Sequence, residues 1–331
     1  MVVPLLQWEN QLAGILRRGS QRGHDGQQEG GQGSHSIEYS DTLRRMAPTI
    51  PKPDDFSVLV YHLAMPTPQK HALITGSSRG IGRGIARKLA EDASESPSTT
   101  IRTWPRPTTR WRKSASAAPT AFVTQADIRK PDEIARVFGE VRAQFGKLDI
   151  FVANARPEAS EFFYPLMDIT IAQWDSAFDS QAQGFLLGAR QASNLMADGG
   201  RMLAITYAQG SRTGGVLPWV AMGCAKAAME SLIRYLAVAL AKRGITVNAI
   251  SPGWTEDSVL NSFPQQAQDL IRNWHVSGWT PMRRLGTPED IGNVAALLCT
   301  ERASWITGQV IYADGGASLM NPEVPPEIQL G

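Results

Sequence analysis

The sequence predicts an α/β fold, a doubly wound parallel sheet in a single domain behind a poorly ordered N-terminal extension. From residue 71 onward, short apolar runs alternate with segments of helical period, the pattern of a parallel sheet covered on both faces. A glycine-rich turn also joins the first run to the first helix, at the sheet edge where such folds bind ligands. The chain has 331 residues, 42% of them hydrophobic, enough to bury a substantial core.

The expected strands are residues 71–75, 121–124, 148–152, 202–206, 246–250 and 310–312, each a short apolar run. Residues 82–91, 131–145, 171–196, 220–242 and 288–298 repeat their apolar positions at helical spacing. Thr170 and Thr287 stand where a hydroxyl caps the helix that follows. Pro288 comes next, at the first helical position, where its missing N–H costs nothing.

Residues 1–64 differ in kind. A polar, Gly- and Gln-rich stretch from Gly19 to Ser36 precedes Pro48, Pro51 and Pro53. This head reads either as a disordered extension or as a gene-model artefact. The domain occupies 65–320 and a tail follows at 321–331. Lys plus Arg number 33 against 31 for Asp plus Glu, a formal charge of +2 that points to no polyanionic partner, so nucleic acid is not expected. Cys224 and Cys299 are the only cysteines, which excludes a disulfide framework and a cysteine-rich metal site. No His, Cys and carboxylate cluster has metal-ligand spacing, so no metal is expected. No apolar run reaches the roughly 18–20 residues of a membrane span, so a reducing cytoplasmic setting is expected.

The first turn reads Thr75-Gly76-Ser77-Ser78-Arg79-Gly80-Ile81-Gly82. Gly76 permits the tight strand-to-helix turn, Gly80 lets backbone approach a pyrophosphate, and Gly82 lets the helix pack on the sheet, while the helix N-terminus offers free N–H groups to the anion. This spacing resembles the short-chain dehydrogenase/reductase family. Ala126-Asp127-Ile128, Ala153-Asn154-Ala155-Arg156, Ser251-Pro252-Gly253 and Asp314-Gly315-Gly316 match its later landmarks, so the resemblance covers about residues 70 to 320. Within the family the chain looks like bacterial enoyl-thioester (enoyl-acyl carrier protein) reductases and ketoacyl-thioester reductases. The resemblance implies a Rossmann-like fold and NADP, or NAD, held by Gly76, Ser78, Arg79, Gly80, Ile81, Gly82, Asp127, Ile128, Asn154, Ala155, Lys226, Pro252, Gly253 and Thr255. It also implies a homodimer or homotetramer paired through long helices such as 220–242.

Residues 93–119 break the pattern where the family carries its second strand and the next helix. Prolines interrupt any helical period, and Arg102, Arg106, Arg110, Arg112 and Lys113 interleave with Trp104 and Trp111. The insert reads as a phosphate or nucleic-acid grip, or as a solvated basic loop or a stretch in the wrong frame. The second pair is favoured, because both flanks match the family and the middle does not. Arg79 and Arg102 lean toward the 2′-phosphate of NADPH.

Reducing a carbonyl, or a double bond conjugated to one, leaves negative charge on oxygen that the site must stabilise. The resemblance implies a tyrosine for this task, its phenol drawn down by a neighbouring lysine that also holds the nicotinamide ribose. Lys226 matches that lysine. The two positions where the family places the tyrosine hold Met222 and Trp219, and Gln181 stands where a helix asparagine is usual. Arg156 replaces the glycine after the Asn-Ala pair. Tyr207, leaving its strand beside the expected nicotinamide position, is the candidate phenol, so the expected catalytic residues are Lys226, Tyr207 and Gln181. Trp219 reads as pocket wall or packing anchor, Cys224 as a small buried hydrophobe, and Thr255 or Ser258 as the substitute for the family's carboxamide-binding threonine. Residues 261–279, with Phe263, Trp274 and His275, form the expected specificity lid. The expected activity is NAD(P)H-dependent reduction of an enoyl or keto substrate, a thioester or related small carbonyl compound. A cofactor-binding scaffold that has lost hydride transfer is the alternative.

Overall fold

The computed structural model describes residues 70–94, 122–158, 161, 164–207, 219–257 and 259–330. The expectations for residues 1–64, for Arg102 and nearly all of the basic insert, and for Ser258 fall outside them. Five parallel strands form one sheet in chain order: β1 (Ala72–Ile74), β2 (Leu148–Ala153), β3 (Met196–Ile205), β4 (Thr246–Pro252) and β5 (Val310–Ala313). Successive side chains on a strand face opposite ways. One face therefore gathers Leu73, Phe151 and Met202 under α2 (Pro131–Phe145), α4 (Gly184–Leu195) and α5 (Val220–Leu240). The other gathers Ile74, Val152 and Leu203 under α1 (Gly80–Ser94) and α7 (Pro288–Leu298).

Both expected caps form as capping boxes. Thr170 Oγ1 accepts from the Gln173 backbone N–H at 3.3 Å while Gln173 Oε1 accepts from the Thr170 N–H at 2.9 Å. Thr287 and Asp290 make the same reciprocal pair at 3.1 and 2.8 Å. The expected helix 171–196 is divided: α3 (Ile171–Phe178) passes through a π turn at Asp179–Gln183 into α4. Such a turn takes an extra residue into the helix and re-aims the side chains that follow. β3 begins at Met196, earlier than expected, with a register shift opposite Leu148 and Ile150. The lid carries α6 (Gln265–Trp274), and α8 (Pro326–Gln329) follows β5.

Among the described residues the strand expected at 121–124 does not form. Residues 122–125 are irregular; an apolar run is strand-like in pattern, but a strand also requires a hydrogen-bonded neighbour. Phe122 and Ala126 nevertheless pack on the α2 side of the core.

Candidate active site

The carboxyl edge of the sheet assembles the glycine turn first. Gly76 (φ +66°) and Gly80 (φ +53°) carry the chain from β1 into α1 in the left-handed region that glycine adopts without strain. At Gly82 the constraint is space: a Cβ there would lie 2.4 Å from both Asn154 Nδ2 and Gly76 O. Thr75 Oγ1 accepts from the backbone N–H groups of Asn154 and Ala155, each at 2.9 Å. Asn154 Nδ2 donates to Thr75 O at 2.9 Å and Gly76 O at 3.0 Å. β1 and β2 thus hold the turn in shape, with Ser78 and Arg79 exposed and Ile81 packed on the α1–α7 core. The tight backbone and the free N-terminus of a long helix fit a dinucleotide pyrophosphate.

The rest of the expected cofactor set lies along the same edge. Asp127 is committed: Arg129 Nε lies 3.0 Å from Oδ1 and Nη2 2.9 Å from Oδ2. Burial would raise this carboxyl, but the Arg129 hydrogen bonds outweigh burial and hold it below its usual range. Ile128 packs on the core behind it. Pro252 ends β4, Gly253 N–H donates to Ala313 O at 3.1 Å, and buried Thr255 bridges to Gly286. Arg79 is not an unpaired cation for a 2′-phosphate, because it forms an ion pair with Glu158 in the loop after β2.

At the chemical end, Lys226 is buried on α5 and its Nζ donates to Ile205 O at 2.6 Å, the carbonyl that ends β3. Tyr207 follows two residues on. Tyr207, Trp219, Phe263 and Trp254 form a continuous wall, with successive ring centroids 6.3, 6.5 and 6.1 Å apart. Trp219 also packs against the apolar cluster around Ala221 and Ala225, so it links the strand end to Phe263 as a packing aromatic. Gln181 is buried in the π turn, its Nε2 3.4 Å from Ala155 O and 3.2 Å from Ser180 Oγ, so it braces the β2 loop. A cavity of about 40 Å³ beneath this edge, lined by Thr75, Ala155, Gln181 and Phe151 among others, is too small for a cofactor or substrate.

The family model described as Enoyl-(Acyl carrier protein) reductase matches residues 76–318. The chain belongs to the short-chain dehydrogenase/reductase family. Among similar proteins, 1-cyclohexenylcarbonyl-CoA reductase of Streptomyces collinus is 34% identical over 256 residues, 76% of this chain and 88% of that protein. Trihydroxynaphthalene reductase of Colletotrichum orbiculare is 29% identical over 263 residues, 76% and 90% of the two chains. The structure of an angucycline C-6 ketoreductase with bound NADP superposes with a TM-score of 0.58 at 26% identity, covering 76% of this chain and 96% of that one. This short-chain reductase is thus an NAD(P)-dependent oxidoreductase of the enoyl- or ketoreductase type.

Its departures from the family pattern have physical consequences. Met222, at the tyrosine position of ketone reductases, is buried in an apolar cluster with Ala177, Ala221 and Ala225. The thioether is a packing group there. Burial first, and the positive charge of Arg156 second, lower the Lys226 amine to about 7, with Glu230, one helical turn along α5, opposing both. Tyr207 moves the other way: burial raises its phenol above the usual value. The expectation of a phenol drawn down by the lysine is therefore corrected, since the desolvation that depresses the lysine also disfavours a phenolate.

Other expectations also change. Cys224 is exposed on α5 and only Cys299 is buried. His275 is buried with its Nδ1 2.6 Å from Thr280 Oγ1, and burial lowers it to about 4, so it anchors the lid from inside. Trp274 stacks on Trp279 at 5.0 Å. Glu230 and Glu158 were missed by the sequence reading. Glu230 lies four residues after Lys226 on one helix, a spacing that puts the two side chains on one face, whereas no local signal pairs Glu158 with Arg79. Among the described residues no group of His, Cys, Asp or Glu is placed to hold a metal ion, and no helix is long and apolar enough to cross a membrane.

Proposed function

We propose that this reductase uses NADPH, with NADH as the alternative, to reduce the C=C bond of an enoyl thioester in preference to a ketone. The observation that carries the reading is the pairing of a half-buried, neutral phenol at Tyr207 with a packing methionine at position 222. Ketone reduction yields an alkoxide that must be protonated on oxygen, and the residue that would relay that proton is replaced by Met222. Enoyl reduction leaves an enolate, which needs a hydrogen bond on oxygen and a proton on carbon. A neutral phenol suits the first task.

The bound nicotinamide supplies the hydride. Gly76, Gly80 and the α1 N-terminus hold the pyrophosphate, while Lys226 holds the ribose. Tyr207 O–H donates to the substrate carbonyl oxygen, and the Trp219–Phe263–Trp254 wall keeps water from the reacting carbons. Lys226, close to its titration point at neutral pH, passes on the proton that reaches the α-carbon. The relative acting on a cyclohexenylcarbonyl thioester and the relative solved with NADP support this substrate class and cofactor. Exposed Tyr235 and Val238 on the outer face of α5 support a homodimer or homotetramer, and Cys224 and Cys299, both outside any disulfide, suit a cytoplasmic setting.

The test follows NADPH and NADH oxidation against crotonyl and acetoacetyl thioesters. Faster turnover of the crotonyl thioester with NADPH is expected, and a preference for the acetoacetyl thioester overturns the choice of bond. Tyr207→Phe is expected to remove most turnover, of the order of 10²-fold, with cofactor binding near normal. Full retained activity refutes its role.

A further inference from the structure

Arg156 is the charged residue of the site that the proposed chemistry leaves without a task. The structure fixes where it stands. Ala153 of β2 and Ala204 of β3 are register partners, so Arg156 and Tyr207, each three residues further along, follow the carboxyl ends of adjacent parallel strands. Such strands lie about 4.8 Å apart. The loop carrying Arg156 is pinned on one side by Thr75 through Asn154 and Ala155, and on the other by Gln181 through Ala155 O.

Arg156 is half-buried, and burial pulls its guanidinium below its usual range against the attraction of Asp257 and Glu158. Its charge reaches Lys226 on the cofactor side and Asp257 on the lid side. Nη1 donates to Pro157 O at 2.7 Å; among the described residues its other N–H groups have no hydrogen-bond partner. A half-buried cation with donors to spare, one strand from the candidate phenol, is suited to hold an oxyanion on a flat substrate. Lys226 cannot carry a permanent charge for this purpose, because it titrates near neutrality.

We propose that Arg156 is a catalytic residue: its guanidinium, together with the Tyr207 hydroxyl, donates to the substrate carbonyl oxygen and holds the negative charge that hydride transfer places there. The identification of that oxygen as a thioester carbonyl rests on the enoyl reading above. Hydride brings two electrons to the β-carbon, the C=C pair shifts to form the α-carbon–carbonyl-carbon double bond, and the C=O pair moves onto oxygen. When the C=O bond re-forms, the α-carbon takes one proton. Besides the enoyl thioester, one NADPH and that proton are the only species consumed.

The test uses the NADP⁺-loaded protein and 4-nitrophenol, a flat ring whose anion is yellow and whose neutral form is colourless, on the acid side of the free phenol's titration. The wild type is expected to bind it as the yellow anion, and Arg156→Gln to lose that colour. Arg156→Lys, which keeps the charge and guards against misfolding, is expected to retain part of it. In turnover, R156Q should lower kcat by about 10²- to 10³-fold with KM and NADPH affinity within a few-fold. A colourless bound phenol in the wild type, no binding of the probe, or the same anion fraction in R156Q overturns the proposal. A fall in Tm alone in R156Q, with colour unchanged, assigns Arg156 to structure and also overturns it. Failure of the wild type to turn over either thioester sinks the substrate reading only, and the nitrophenol result still decides the role of Arg156.

Discussion

Replacing Lys226 with methionine tests the electrostatics on which the catalytic reading depends. The amine is buried on α5 and held at about 7, against an ordinary value of 10.5. Above pH 7 the folded amine is neutral while the unfolded one keeps its proton to about 10.5, so the unfolded chain binds more protons and stability rises with pH across that window. At about 1.4 kcal/mol per pH unit, the full difference is up to about 5 kcal/mol, missing at low pH and recovered at high pH. The substituted thioether cannot titrate. Losing the donor to Ile205 O costs Lys226→Met about 1–3 kcal/mol, but that cost does not vary with pH. Urea unfolding of both proteins at pH 7 and at about pH 8.5 should show the wild type gaining between about 1 and 2 kcal/mol more than the variant. Parallel stability curves would refute a depressed lysine and the proton-passing role built on it.

Gly82→Ala should weaken NADPH binding at least about tenfold and cost about 1–3 kcal/mol, because its Cβ meets Asn154 Nδ2 and Gly76 O at 2.4 Å; unchanged cofactor titration would count against this account of the turn. Met222→Tyr should destabilise the protein by about 1–3 kcal/mol and leave kcat no higher, since the position faces a packed apolar cluster. A large gain in ketone reduction would show instead that the site lacks only its tyrosine. Thr287→Ala should cost about 1 kcal/mol, measured by the urea midpoint, through loss of the α7 cap and its Asp290 partner.

The residues that were legible in the sequence act over short distances. Thr170 and Thr287 cap because the next few residues form a helix, and Gly76, Gly80 and Gly82 make the turn because their backbone must curl tightly beside Asn154. The π turn that buries Gln181 carried no sequence signal, since its apolar spacing differs from an α-helix by one residue. The strand expected at 121–124 shows the opposite case: its apolar run is strand-like, yet residues 122–124 are irregular, because such a run does not by itself supply the hydrogen-bonded neighbour a strand needs.

The sequence by itself determined the α/β class, the phosphate-binding turn, the position of Lys226 and the absence of a tyrosine at Met222. Each follows from local geometry or from the identity of a single residue. Tertiary structure alone decided that Lys226 titrates near neutrality while Tyr207 stays a neutral phenol, that Arg79 is taken by Glu158, and that Arg156 and Tyr207 follow the ends of neighbouring strands. These depend on burial and on charges brought together from β2, β3, α5 and the lid. Desolvation and Coulomb attraction act through space, so their outcome is set only when the sheet has placed those segments side by side.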